Sequence, residues 1–229
     1  MADRTGLVEF VGLPASGKTH LAKEVKARLA TEVDTISTAS EKRTRHWRGM
    51  VPGLILWSLV CAPGHGGKSA VDLYRTDQRP RQLLTYWLYQ LYLHAEWRSA
   101  GSGELHLSDQ GFIQHVWRVR LTAGSMDVDG IKRFLSQHPP RIPDVVVFVD
   151  VDHQTRMKRG RDRGTSVRDA HFDPEHPAIV RDRMAFRDVR TAVDELIDEH
   201  EDGPLTLRIE NTEAELDENV DRVIAAIKA

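Results

Sequence analysis

Cysteine is nearly missing from this sequence: Cys61 is the only one among 229 residues. A single thiol excludes an internal disulfide and a cysteine-built zinc cage, and makes a reducing, cytoplasmic setting the expectation. Excess charge is lacking too. The formal net charge of −2 at pH 7 gives no reason to expect a nucleic-acid polymer or an anionic membrane surface as partner. No apolar run reaches the roughly 20 residues that a bilayer-spanning helix takes. The longest window, Met50 to Pro63, is broken by Pro52, Gly53 and Ser58. Nor does Met1-Ala-Asp-Arg-Thr5 lead into the apolar stretch of a signal peptide. Lysine is scarce, with 8 Lys against 24 Arg, and the guanidinium fork is the side chain that binds phosphate oxygens in pairs. Internal repeats, low-complexity tracts and linkers are lacking, so residues 1–229 read as one α/β domain large enough for a full core.

The most informative stretch lies near the beginning. Apolar Leu7 to Val11 runs into Gly12-Leu13-Pro14-Ala15-Ser16-Gly17-Lys18-Thr19, and Leu21, Val25 and Leu29 then recur at helical spacing. G-x-x-x-x-G-K-T between a strand and a helix predicts a loop that cradles phosphate, because N–H groups can close round the anion only where Gly12 and Gly17 carry no side chain. Lys18 then meets the β/γ-phosphates as a point charge, and Thr19 offers a hydroxyl to Mg2+. The helix N-terminus adds its partial positive charge. A glycine turn beside a surface lysine would need strand, glycines, Lys-Thr and helix to coincide by chance.

Further along, a strand is expected over Val33 to Ser37, followed by the basic stretch Glu41 to Arg48, which either faces an anionic acceptor or forms a solvated helix face. Val51 to Cys61 reads as an apolar helix. Ala62 to Ser69 has only a superficial likeness to a second phosphate loop, since Ala62 stands where its first glycine would be. Arg79-Pro80-Arg81 opens a long helix with Leu84, Leu88, Leu91 and Ala95 inward, where an aromatic stripe is more often core than a stacking platform. Tyr86, Tyr89 and Trp97 are its candidates for the border of an acceptor pocket.

Glu104 to Gly111 predicts a short strand ending at Asp109. Beside a phosphate loop, a strand-end carboxylate holds water on Mg2+ or accepts the acceptor's proton; elsewhere it is a turn or helix cap. Phe112 to Leu121 and Val128 to Leu135 read as helices. Asp144 to Asp150 is apolar enough to be a parallel strand covered on both faces. Arg156, Arg159 and Arg163 then share one helix face and either clamp a triphosphate or stand in solvent. Residues 164–177 read as a lid, within which His171, Asp173, Glu175 and His176 match no metal-ligand spacing. A helix over 178–199, a strand over 204–209 and a helix over 213–227 complete the pattern.

The order of these features resembles the P-loop nucleoside and nucleotide kinases of the thymidylate kinase-like group. Gly12 to Thr19, Leu107-Ser108-Asp109-Gln110-Gly111 after a long helix, and Pro143 to Asp152 before an arginine-rich segment carry the likeness. The resemblance implies a three-layer P-loop NTPase fold with about five parallel strands, helices on both faces and an arginine-rich lid over 156–177. It also implies ATP with Mg2+ as donor. By that likeness Gly12, Ala15, Ser16, Gly17, Lys18 and Thr19 bind the phosphates and Thr19 with Asp109 serves the metal. Lys18, Asp109, Arg156, Arg159 and Arg163 then act in transfer. Thymidylate kinases place an arginine directly after the strand-end aspartate to hold the acceptor's phosphate, whereas Gln110 stands here. The acceptor, bound on the side of residues 38–82, is therefore left open among a nucleotide, a nucleoside and another small hydroxyl compound. A nucleotide-dependent regulatory ATPase without a small acceptor is the alternative, and a homodimer is compatible with the sequence.

Overall fold

The computed structural model describes residues 6–30, 36–38, 53, 70–99, 105–123, 126–136, 143–162, 175–199, 203–212 and 214–229. In chain order the elements are β1 (Gly6–Val11), α1 (Lys18–Leu29), β2 (Ile36–Thr38) and α2 (Pro80–Ser99), followed by β3 (Leu105–Ser108), α3 (Phe112–Thr122) and α4 (Val128–Ser136). After these come β4 (Val145–Asp150), α5 (His153–Asp162), α6 (Pro177–Glu199), β5 (Leu205–Glu210) and α7 (Leu216–Lys228). The five strands form one parallel sheet in the order β2-β3-β1-β4-β5.

Strand alternation divides the core into two layers. Val8 and Phe10, with Val145, Val147 and Val149, point toward Leu21, Val25 and Leu29 of α1 and Val220 and Val223 of α7. Val11, Val146 and Phe148 point the other way, into a cluster built from α2, α3, α4 and α6. Fully burying a side chain such as Leu21, Phe10 or Ile113 contributes about 1.5–3 kcal/mol each, so the apolar runs read from the sequence account for the layering.

The long helix differs from expectation at one position. Leu84 is 51% exposed, while Leu83 packs against the core in its place. Leu88, Leu91 and Tyr92 carry the buried face from there on. The second strand is described only over Ile36–Thr38; the rest of its expected span, the 41–48 basic stretch, the 51–61 helix and the 62–69 loop lie outside the described residues. So do Arg163 and most of the expected lid. Among the described residues no helix is long and apolar enough to cross a membrane.

Candidate active site

The sheet order places a crevice at the carboxyl ends of β1 and β3. These strands are neighbours, yet β1 leads to α1 on one face and β3 to α3 on the other. Ligands of open α/β sheets bind where adjacent connections diverge in this way. Two helices therefore begin side by side, and they are treated oppositely. The N-terminus of α3 is satisfied by Glu9, whose carboxylate in the middle of β1 accepts the N–H groups of Ile113 at 3.0 Å and Gln114 at 2.7 Å. At the N-terminus of α1, Gly17 supplies no side-chain cap and the first turn has no acidic residue. The first N–H groups of a helix lack acceptors within it and draw anions; of these two helices, α3 is capped by a carboxylate and α1 has no side-chain cap at Gly17.

Residues 12–19 form the loop expected from their spacing. Ala15 has φ 65° and Gly17 φ 91°, left-handed backbone of the kind found in anion-binding loops, while the Ser16 N–H closes a turn on the Leu13 carbonyl at 3.1 Å. Gly12 donates its N–H to Gln114 Oε1 at 3.0 Å, which ties the loop to α3. The Ser16 carbonyl accepts Asn211 Nδ2 at 2.9 Å and Arg159 Nη1 at 3.2 Å. The N–H and C=O of a planar trans peptide point in opposite directions, so these two donors turn the Gly17 N–H away from themselves. A Cβ on Gly17 would stand 2.1 Å from Asn211 Nδ2 and 3.0 Å from Arg159 Nη1. Gly17→Ala thus meets both a left-handed backbone and a blocked space. We expect it to weaken the loop's affinity for a phosphate ligand by roughly tenfold or more, given about 1–3 kcal/mol for such strain, measurable by calorimetric titration.

Lys18 Nζ folds over the loop, bonding the Gly12 carbonyl at 3.1 Å and lying 3.5 Å from the Leu13 carbonyl. Thr19 donates its hydroxyl to Asp109 Oδ2 at 2.6 Å. Asp109 is buried, and its Oδ1 has no hydrogen-bond partner among the described residues. A buried carboxylate oxygen left over beside a threonine hydroxyl suits a hard divalent cation, whose ligands are oxygens. The two expected metal residues therefore meet, and their donor set fits Mg2+. Among the described residues no group of three His, Cys, Asp or Glu side chains converges elsewhere to hold a metal.

The arginines of α5 part company. Arg159 reaches the loop, with Nη2 also on the Asn211 carbonyl at 3.1 Å. Arg156 is buried; its Nη2 lies 3.4 Å from His153 Nδ1. Burial lowers the Arg156 pKa, with the Asp182 charge opposing the shift and the Arg183 charge adding to it. It therefore faces α6, whereas Arg159 faces the phosphate loop.

On the far side of Asp109, Gln110 Oε1 accepts Arg118 Nη2 at 2.9 Å, and the Gln110 carbonyl accepts the Tyr89 hydroxyl at 2.6 Å. The buried His115 ring lies between Tyr86 and Tyr89, with centroids 5.5 Å and 5.0 Å away. Burial lowers the Arg118 pKa, opposed by Tyr86 and the Asp109 carboxylate.

No protein-family model and no curated protein matches the sequence. Among solved structures the chain is similar to deoxyadenosine kinase from M. mycoides. One such structure has the products dCMP and a flexible dCDP bound, with TM-score 0.49 and 10% identity over 96% of this chain and 98% of that one. Another has dCTP bound, with TM-score 0.46 and 10% identity over 95% and 98%.

Three residues of this arrangement escape motif reading. Glu9 left a signal, one carboxylate inside an otherwise apolar strand. Asn211 follows β5 and sits 195 residues from the carbonyl that it holds, so no local pattern marks it. Arg118 is one cation on an amphipathic helix and reads like any solvated residue.

Proposed function

We propose that the protein is an ATP- and Mg2+-dependent phosphotransferase that moves the γ-phosphoryl group to a nucleotide, nucleoside or other small hydroxyl-bearing acceptor. The observation that carries this is the Thr19–Asp109 contact of 2.6 Å, which joins an uncapped, glycine-formed phosphate loop to a buried strand-end carboxylate. The triphosphate would lie against the main chain of residues 15–19 at the start of α1, with the Lys18 ammonium released from the Gly12 carbonyl to the β/γ-phosphates. Thr19 and Asp109 would hold Mg2+, which when bound neutralises charge on the β- and γ-oxygens. Arg159 keeps the Ser16–Gly17 peptide turned for binding and lies close enough to the loop to meet phosphate charge. Tyr86, Tyr89, His115 and Arg118 would border the acceptor beyond Asp109. The likeness to the thymidylate kinase-like group belongs to the same reading, with the region around residues 38–82 on the acceptor side and 156–177 as lid.

The test is ATP consumption by purified protein with and without a panel of nucleosides, nucleoside monophosphates and small alcohols. Stimulation by an acceptor, with the phosphorylated product recovered, is the expected result. Acceptor-independent turnover would favour the regulatory ATPase, and no affinity for any Mg·nucleoside triphosphate would end the assignment. Asp109→Asn keeps the shape and removes the charge. We expect about 10²–10³-fold slower transfer together with a raised Mg2+ requirement, read from a magnesium titration of the rate.

A further inference from the structure

The acceptor side contains a cation that the proposed chemistry does not yet use. Arg118 stands two turns into α3, and helical side chains lean back toward the N-terminus, which here brings its guanidinium to Gln110 beside Asp109. Tyr86 donates its hydroxyl toward the Arg118 carbonyl at 3.4 Å, and Thr122 Oγ1 lies 3.1 Å from the Tyr86 oxygen and 3.0 Å from the same carbonyl. The helix turn behind the guanidinium is thus tied to α2, and Tyr89 holds the Gln110 backbone on the other side. The cation is partly withdrawn from water, yet among the described residues its side-chain hydrogen-bonding partner is a neutral amide. The nearby carboxylate, Asp109, already accepts the Thr19 hydroxyl.

We propose that the Gln110–Arg118 pair is an anion-recognition element of the acceptor pocket, and that the acceptor carries a phosphate or carboxylate group which Arg118 receives. This rests on the kinase reading and narrows its substrate class. A guanidinium has five N–H donors in a planar fork. Gln110 Oε1 takes one and fixes the plane, leaving the fork shaped for the paired oxygens of an anion. Gln110 therefore orients the cation that the sequence lacks at position 110, and supplies none itself.

If the anion is the phosphate that receives the γ-phosphoryl group, the step balances without a general base. An ionised phosphate oxygen forms the new P–O bond, the bond from the γ-phosphorus to the β,γ-bridging oxygen breaks, and ADP leaves with that electron pair. If the anion is a carboxylate or phosphate remote from the reacting hydroxyl, Arg118 fixes orientation only, and the hydroxyl proton passes to solvent.

The test compares wild type, Arg118→Met and Arg118→Lys on matched acceptors with and without an anionic group, phosphate and carboxylate forms being assayed separately. For the anionic acceptor we expect a KM about 10²-fold higher in Arg118→Met, partial recovery in Arg118→Lys, and unchanged Mg·ATP affinity. Orthophosphate and acetate titrated calorimetrically into the Mg·ADP-loaded protein report the same preference without turnover, and Arg118→Met should abolish the heat. Wild type that uses neutral acceptors alone, or an Arg118→Met variant impaired equally on neutral and anionic acceptors, overturns the proposal. Loss of Mg·ATP binding by wild type would instead overturn the kinase reading itself.

Discussion

Lys18→Ala should abolish measurable phosphoryl transfer and leave the fold standing. In the free protein the ammonium makes a 3.1 Å bond to the Gly12 carbonyl and approaches the Leu13 carbonyl. These contacts are part-buried, so their loss costs about 0.5–1.5 kcal/mol and lowers the melting temperature by only about 1–6 °C in a chain of this size. The catalytic loss is of another order. A cation placed where negative charge develops is worth roughly 10²–10³-fold in rate, and alanine also removes the counter-charge that draws the triphosphate into the loop. Lys18→Arg should not rescue, because the planar fork is bulkier than an ammonium and cannot fit beneath the Gly12 and Leu13 carbonyls. Transfer from labelled ATP, read beside a thermal melt, separates the two effects. Unchanged phosphorylation by Lys18→Ala would refute the placement of the triphosphate.

What was legible in the sequence is what local physics determines. Apolar runs at 7–11 and 145–149 had to become buried parallel strands. Gly12, Gly17 and Lys18-Thr19 were legible as the turn between β1 and α1, where Gly17 takes the left-handed backbone that glycine favours. Asp109 was legible as a strand end, and its partner Thr19 as a motif residue, although nothing local required them to meet at 2.6 Å. The illegible part consists of contacts made across the fold. Arg156 and Arg159 share a helix pattern, yet the charges of Asp182 and Arg183 on α6 act on the first while the second bonds the Ser16 carbonyl of the loop. Leu84 fits the apolar repeat of α2 but lies in its first turns, where Leu83 makes the core contact. Gln110 meets the guanidinium of a residue eight positions later on the next helix, which no reading of adjacent residues would reveal.

Glu9→Ala should be the most destabilising substitution in the site, and its damage should spread to function. The carboxylate is fully buried at the centre of the sheet and accepts two N–H groups of the first turn of α3. A buried carboxylate is costly unless such donors and the helix dipole compensate it. An apolar replacement is sometimes neutral for a buried ion pair when both partners can be exchanged. Here the donors belong to the main chain of Ile113 and Gln114 and cannot be exchanged, so alanine leaves both unsatisfied beside a cavity. Hydrogen bonds to a charged acceptor contribute about 1.5–3 kcal/mol each, which puts the loss near 3–6 kcal/mol and the fall in melting temperature at roughly 6–24 °C. Glu9→Gln, which keeps one acceptor oxygen, should lie between. Because Gln114 in turn holds Gly12, and Asp109 lies just ahead of α3, the surviving folded fraction should bind Mg·ATP more weakly than wild type. A melt of Glu9→Ala indistinguishable from wild type would mean that the start of α3 is held by something other than this carboxylate.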